Sequence, residues 1–310
     1  MFPLQAPPLL KPGDAISLIA PSGPVDEHAL ERAIVELERR GYRCKTHGDL
    51  TRRNGYLAGT DDERAAEFNA AVNDPETCAL LPVRGGYGAS RILDRLDYQA
   101  LARYPKSICG FSDITALHSA VHRYAGLATF HGPNLQDGIG HIDGMDPVAA
   151  ASYWQMLTGQ SETPPTSLIE PAPRCLVGGF CEGPVVGGNL AVLAALVGTP
   201  YEIETKGCIL LLEDVGEATY RVDRMLAQLR LTGMLDEAVG IVLGQFTDCE
   251  TSVAEMDGSL EHVFNDYFAC LSIPVIADYP VGHDRQNTTV PLGLPVQLDA
   301  DRCLLGLESA

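Results

Sequence analysis

The chain has 310 residues, 45% of them apolar, and a formal net charge of −19. That length is a prior for about two domains, each with room for a well-formed core. The acidity argues against a nucleic-acid duplex or an anionic membrane as partner, because both need a basic face.

At the N-terminus, MFPLQAPPLLKPGD lacks a basic stretch followed by a long apolar core, so no signal peptide is expected. DAISLIAPSGPV is an apolar run ending in Pro, Ser and Gly, a buried strand entering a loop. DEHALERAIVELERRG has helical periodicity, with Asp26 placed to cap its start and Gly41 its end. GTDDERAAEFNAAVNDP is a second helix, closed by Pro75, and CALLPVRGGYGAS reads as strand, Gly-rich loop and helix. SICGFS and LATFHGP are further strands; the alternation predicts an α/β fold with a parallel sheet. GQSETPPTSLIEPAPR is rich in Pro, Ser and Thr and lacks periodicity, as an interdomain connection would. The expected division is 1–160, a connection at 161–184, and 185–310.

Beyond the connection, GGNLAVLAALVGTP is a helix with Asn189 near its start, and CILLLEDVG is a buried strand. TYRVDRMLAQLRLTGML is amphipathic, GIVLGQF and PVIADYP are strands, and the last thirty residues read as β with a turn at Asp299–Asp301. The second half therefore mixes parallel units with antiparallel strands. No run of about 18 apolar residues predicts a membrane span. The nine Cys include no C-x-x-C pair, and several, such as Cys109 and Cys208, lie in apolar runs. They read as free thiols in a reducing compartment, so a cytoplasmic protein is expected.

Five features carry candidate chemistry. Ser112, in Gly110-Phe111-Ser112-Asp113, sits at a strand-to-helix corner, where a nucleophile would be exposed next to the Asp113 N–H. The elbow signature G-x-S-x-G lacks its second Gly here, and by itself Ser112 is better explained as a helix cap. Arg84-Gly85-Gly86 forms a turn whose N–H groups can approach a ligand, but Arg91 occupies the third Gly position of a dinucleotide fingerprint. His118 and His122 have zinc spacing without the H-E-x-x-H glutamate, and read as helix-surface or core-edge residues rather than a metal site. Glu213 and Asp214 end a buried strand, where α/β sheets place ligands; Arg221 and Arg224 follow on a helix. His283 lies in a polar, Gly-flanked loop and is the His best placed to act as a base. Together, Ser112, a carboxylate and His283 compose a workable hydrolytic triad needing no cofactor or metal. A non-catalytic protein binding small anions or peptides remains open if the three lie apart.

At these residues the sequence resembles the LD-carboxypeptidase family of serine peptidases. The resemblance runs from LIAPSGPV through RGGYGASRILDRLDY, KSICGFSDITALH and TFHGPN. It continues in VVGGNLAVLAALVGTPY, LLLEDVGEATYRVDRMLAQLR and YPVGHDRQNTTVPLG, covering nearly the whole chain. It implies a triad of Ser112, Glu213 and His283, with Glu217 a rival for the acid. It also implies oxyanion donors on the backbone of Asp113, Gly85 and Gly86. Arg84 and Asn189 are candidates for substrate binding. The implied fold is a flavodoxin-like N-terminal domain and a swivelling C-terminal β/α domain, in a homodimer. The implied activity is release of terminal D-Ala from murein tetrapeptide in cytoplasmic cell-wall recycling. One branch of the family instead destroys peptidyl-nucleotide antibiotics such as microcin C, with a Trp before the Gly-Gly-Asn segment. CLVGGFCEGPVVGGN has none, and the one Trp of the chain is Trp154.

Overall fold

The computed structural model describes residues 4–160, 171–249 and 258–307. The first half contains the strands β1 (Ala15–Ile19), β2 (Arg43–Thr46), β3 (Thr77–Pro82), β4 (Ser107–Gly110) and β5 (Thr129–His131). They are parallel, in the order β2-β1-β3-β4-β5, the flavodoxin-like winding. All five residues of β1 are buried, as a central strand covered on both faces requires. Helix α1 (Glu27–Arg39) and helix α2 (Asp61–Asn73) cover opposite faces. Asp26 caps α1 by accepting the Ala29 N–H at 2.9 Å, and Thr60 and Glu63 form a reciprocal capping box on α2. Helices α3 (Tyr98–Arg103) and α4 (Thr115–Ala125) join α2, while α5 (Pro147–Thr158) joins α1.

The second half adds β6 (Arg174–Val177), β7 (Phe180–Asn189), β8 (Ile209–Val215), β9 (Gly240–Thr247) and β10 (Val275–Ala277). Strands β7 to β10 run parallel, and β6 pairs antiparallel to β10. Helices α6 (Leu190–Leu196), α7 (Thr219–Leu231), α8 (Met234–Glu237) and α9 (Leu260–Phe268) bury one face of this sheet against Leu210, Leu212 and Leu243. The other face, with Val185, Ile209, Leu211 and Val242, is covered by the chain's own ending. That ending supplies β11 (Val290–Leu292), β12 (Pro295–Asp299) and β13 (Leu304–Gly306), with β12 antiparallel to β7 and to β13.

Two pairings depart from the division expected from sequence. Strand structure already begins at Arg174, inside the stretch 161–184 read as a connection. Its residues are only partly buried at a sheet edge, so their pattern carries little periodicity. Residues 161–170 lie outside the described residues. Moreover, β11 does not stay with the second half: it pairs antiparallel with β5, Val290 opposite His131, and completes the first sheet. The segment leading into β11 therefore crosses from one sheet to the other, and His283 lies on it.

Candidate active site

Strands β3, β4 and β5 end at one edge of the first sheet, where doubly wound folds place their ligands. The turn after β4 holds Ser112 at φ +63°, a left-handed conformation unusual for a residue with a Cβ. A one-turn 3-10 segment, Ser112–Ile114, follows and leads into α4. The side chain of Ser112 makes no capping bond to either segment, which overturns the helix-cap explanation. Capping needs an extended residue whose oxygen turns back over the helix. The left-handed corner instead leaves Ser112 half-buried, facing a cavity of about 510 Å³.

This corner is clamped from two sides. Asn134, just past β5, accepts the Phe111 N–H at 3.3 Å and donates Nδ2–H to the Phe111 carbonyl at 3.4 Å. The buried Asp113 carboxylate accepts the Ala89 N–H at 2.8 Å, which ties the corner to the Gly-rich turn. Burial raises the Asp113 pKa, against the lowering effect of the hydrogen bonds it accepts. On the same turn, fully buried Arg64 donates to the Gly88 carbonyl at 2.8 Å and to Asp61 Oδ1 at 2.5 Å. Gly85 has to be glycine: a Cβ there would fall 2.9 Å from the Ser112 Cβ. Its backbone therefore lies directly against the serine, while that of Gly86 (φ +103°) lies against Gly23.

The second half supplies the other side. In β8, side chains alternate, so Glu213 shares the face of Ile209 and Leu211, over which the β10–β11 crossing passes. The register against β9 shifts between Leu212 and Asp214, a bulge of the kind that re-aims a side chain. Glu213 is fully buried, and His283 Nδ1 lies 2.7 Å from its Oε2. A carboxylate only accepts, so Nδ1 carries the hydrogen and Nε2 offers a lone pair. Burial works against the imidazolium, but the hydrogen bond and charge of Glu213, with Asp214 and Asp137 adding, outweigh it and raise the His283 pKa above 6.5. Gly282, at φ +133°, lets the loop pass over Glu213, where a Cβ would stand 3.0 Å from Oε2. Asn287 and Gln245 hold the loop by accepting the Gly282 and Asp284 N–H groups.

The two halves meet at the cavity. Phe111, next to Ser112, packs on the His283 ring with centroids 4.7 Å apart. Ser112, Gly85, Gly86, Arg84 and His283 all line the cavity, and Arg285 and Asp137 join them. Glu217 is not the partner of His283; it pairs with Arg221 at 3.5 Å. Asn189 is not at the cavity either. It is buried, caps α6 through the Val192 N–H and donates to Asp214 Oδ1 at 3.0 Å. His118 and His122 are buried core residues rather than surface or core-edge ones, bonded to the Gly110 carbonyl and to Thr129. Burial lowers their pKa values to about 4 and about 3, so both are neutral. Among the described residues no cluster of His, Cys, Asp and Glu is arranged for a metal, and no helix is long and apolar enough to cross a membrane.

Sequence reasoning missed Asn134, Phe111 and Arg285. Asn134 had a signal, because it follows Gly-Pro at the end of a strand adjacent to the serine corner. Arg285 had one too, two residues from His283, but only the fold shows that it reaches the other half. There it donates to the Gly144 carbonyl at 3.0 Å and contacts His141.

Comparison with known proteins agrees with this architecture. The LD-carboxypeptidase N-terminal domain matches residues 16–132, and the LD-carboxypeptidase C-terminal domain matches residues 182–298. A probable murein peptide carboxypeptidase of Bacillus subtilis is 40% identical over 93% of this chain and 89% of its own. The crystal structure of a muramoyltetrapeptide carboxypeptidase from Oxalobacter formigenes is similar with a TM-score of 0.81, at 30% identity over 94% and 97% of the two chains. The microcin C7 self-immunity protein MccF, in complex with glutamyl sulfamoyl guanosine, gives a TM-score of 0.87 at 27% identity over 99% of both chains. With both halves matched and 40% identity sustained over nearly its full length, the chain belongs to the LD-carboxypeptidase family.

Proposed function

We propose that this chain is a serine carboxypeptidase that hydrolyses the L,D-peptide bond before the terminal D-Ala of murein tetrapeptide, using Ser112, His283 and Glu213. The observation that carries the reading is the 2.7 Å pair of buried Glu213 with His283, beneath the cavity that holds the left-handed Ser112. His283 Nε2 takes the Ser112 Oγ proton as Oγ attacks the scissile carbonyl carbon. The carbonyl oxygen gains the negative charge, opposite N–H groups of Asp113 and the Gly85-Gly86 turn. The Asp113 N–H heads a helical segment, so it lacks an intrahelical partner and sits at a positive end. On collapse the C–N bond breaks and His283 gives its proton to the departing D-Ala amine. Water, deprotonated by His283, then attacks the acyl-enzyme, and Ser112 recovers its proton. Glu213 stabilises the imidazolium in both steps without changing its own protonation.

Arg84 and Arg285 are the cations of the cavity and would hold substrate carboxylates in an otherwise acidic protein. All nine cysteines are free, which supports a reducing cytoplasm. The family resemblance supports a homodimer. Release of D-Ala from murein tetrapeptide by the intact protein, lost in Ser112→Ala while the fold is retained, tests the assignment; full activity in that variant would sink it.

A second reading, hydrolysis of aminoacyl-nucleotide antibiotics, rests on the likeness to MccF. Against it, β6 and β7 carry no Trp, and Trp154 is packed away from the cavity, stacked on Tyr42 with centroids 6.0 Å apart. Turnover of aspartyl sulfamoyl adenosine, set beside that of tetrapeptide, separates the two. A purely binding role is disfavoured by the Glu213–His283 pair, whose fixed tautomer serves proton transfer.

A further inference from the structure

Beside the cavity of Ser112 lies a second hollow of about 430 Å³, lined by Gly23, Pro24, Tyr56, Arg84, Gly86 and Tyr87. Arg84 and Gly86 line both, so the two adjoin at these residues. One wall is a pair of tyrosines, 65% and 49% exposed, that pack against each other with ring centroids 5.7 Å apart and planes tilted by 59°. Its floor is bare backbone. The Gly23 N–H donates to the Gly85 carbonyl at 2.9 Å, and a Cβ on Gly23 would fall 3.0 Å from that oxygen. Arg84 is held in place by donating to the Pro24 carbonyl at 2.7 Å, one of five N–H donors of its guanidinium. Two aromatic faces left to water over a flat glycine floor cost hydrophobic free energy unless a ligand covers them.

The direction of the reaction says which part of the substrate arrives there. The leaving amine must lie at His283, which protonates it, and His283, Asp284 and Arg285 line the larger cavity but not the second hollow. The acyl portion therefore runs the other way, past Gly86, toward the exposed faces of the paired tyrosines. In a muramoyltetrapeptide two residues separate the acyl residue from the sugar, a span of roughly 7 Å when extended. A pyranose presents a C–H face that packs on aromatic rings, and hydroxyl and acetamido groups that accept hydrogen bonds from a guanidinium. We propose that Tyr56 and Tyr87 form a saccharide subsite that binds the muramoyl sugar of the substrate, with Arg84 hydrogen-bonded to its polar edge. This rests on the carboxypeptidase assignment.

The test compares kcat/KM for muramoyl tetrapeptide and for the same tetrapeptide without sugar, in the unmodified protein and in the Tyr56→Ala/Tyr87→Ala double variant. The sugar-bearing substrate is expected to be favoured roughly threefold to tenfold, and the ratio to fall to near one in the double variant. Both side chains are largely exposed, so the variant keeps the core intact. A ratio of one in the unmodified protein, or a preference that survives the double substitution, would overturn the subsite. Calorimetry of the same two ligands on Ser112→Ala, with and without the tyrosine substitutions, reads the preference without turnover. Cleavage of neither substrate would thus remove the carboxypeptidase assignment alone. A sugar preference in binding that disappears with the tyrosines would still establish the subsite, and equal binding would refute it.

Discussion

Replacing Ser112 by Ala and by Gly separates what the corner does for chemistry from what it costs the fold. At φ +63° the Cβ of an L-residue crowds its own backbone, at a cost of about 1–2 kcal/mol that glycine escapes. Glycine returns about 0.5–1 kcal/mol of this through the greater freedom of its unfolded chain. Neither variant loses a capping bond, because the Ser112 hydroxyl makes none. The difference should therefore leave Ser112→Gly more stable than Ser112→Ala by about 0.5–1 kcal/mol. For a chain of this size that is a rise of about 1–1.5 °C in Tm. Both variants should lose D-Ala release by on the order of 10⁶-fold, since each lacks the Oγ that forms the acyl-enzyme. Thermal unfolding followed by circular dichroism, with D-Ala release on the same preparations, reads both quantities. A glycine variant that melts at or below the alanine variant would refute the strained corner, and activity surviving in either would refute the nucleophile.

Glu213→Gln keeps the shape but removes the charge that fixes the His283 tautomer, and kcat is expected to fall roughly 10⁴-fold. The pH profile of kcat/KM should rise through the raised His283 pKa, above 6.5, because the base must be neutral; in Glu213→Gln the residual profile should shift to lower pH. By linkage, a raised folded-state pKa stabilises the protein fully below about pH 6.5, and that contribution is lost as pH rises through the folded value; thermal melts across pH should show it shrink in Glu213→Gln. Gly85→Ala puts a methyl 2.9 Å from the Ser112 Cβ, so activity should drop at least 100-fold while circular dichroism stays native; retained activity would show that the turn does not abut the nucleophile. Arg285→Ala should raise KM for tetrapeptide and reduce discrimination against the same peptide ending in D-Ala amide, roughly tenfold in kcat/KM; unchanged discrimination would exclude Arg285 from carboxylate binding.

Much of this molecule was legible as a string because its signals are local. The Asp26 cap, the Pro75 stop and the alternation of apolar strands with helices act within one or two turns of chain, and they announce an α/β sheet wherever they occur. The types of Ser112, Glu213 and His283, each at the end of an apolar run, were visible for the same reason. Which carboxylate faces His283 was not, since Glu213 and Glu217 share one motif and only strand alternation and the bulge in β8 turn the first toward the imidazole. Nor was it legible that Ser112 does not also cap the helix, which depends on a backbone angle. Asn189 looked like a ligand residue and proved to be a buried cap, because burial is a property of neighbours distant in sequence.

The sequence by itself determined most of the elements, the residue types capable of chemistry and the family. The tertiary structure alone decided their meeting. The chain returns from the second sheet to lay Val290–Leu292 on β5, and the crossing that reaches it carries His283 over Glu213 and against Phe111. Contacts between residues 70 positions apart are set by how two sheets close on each other, and no local pattern encodes that closure.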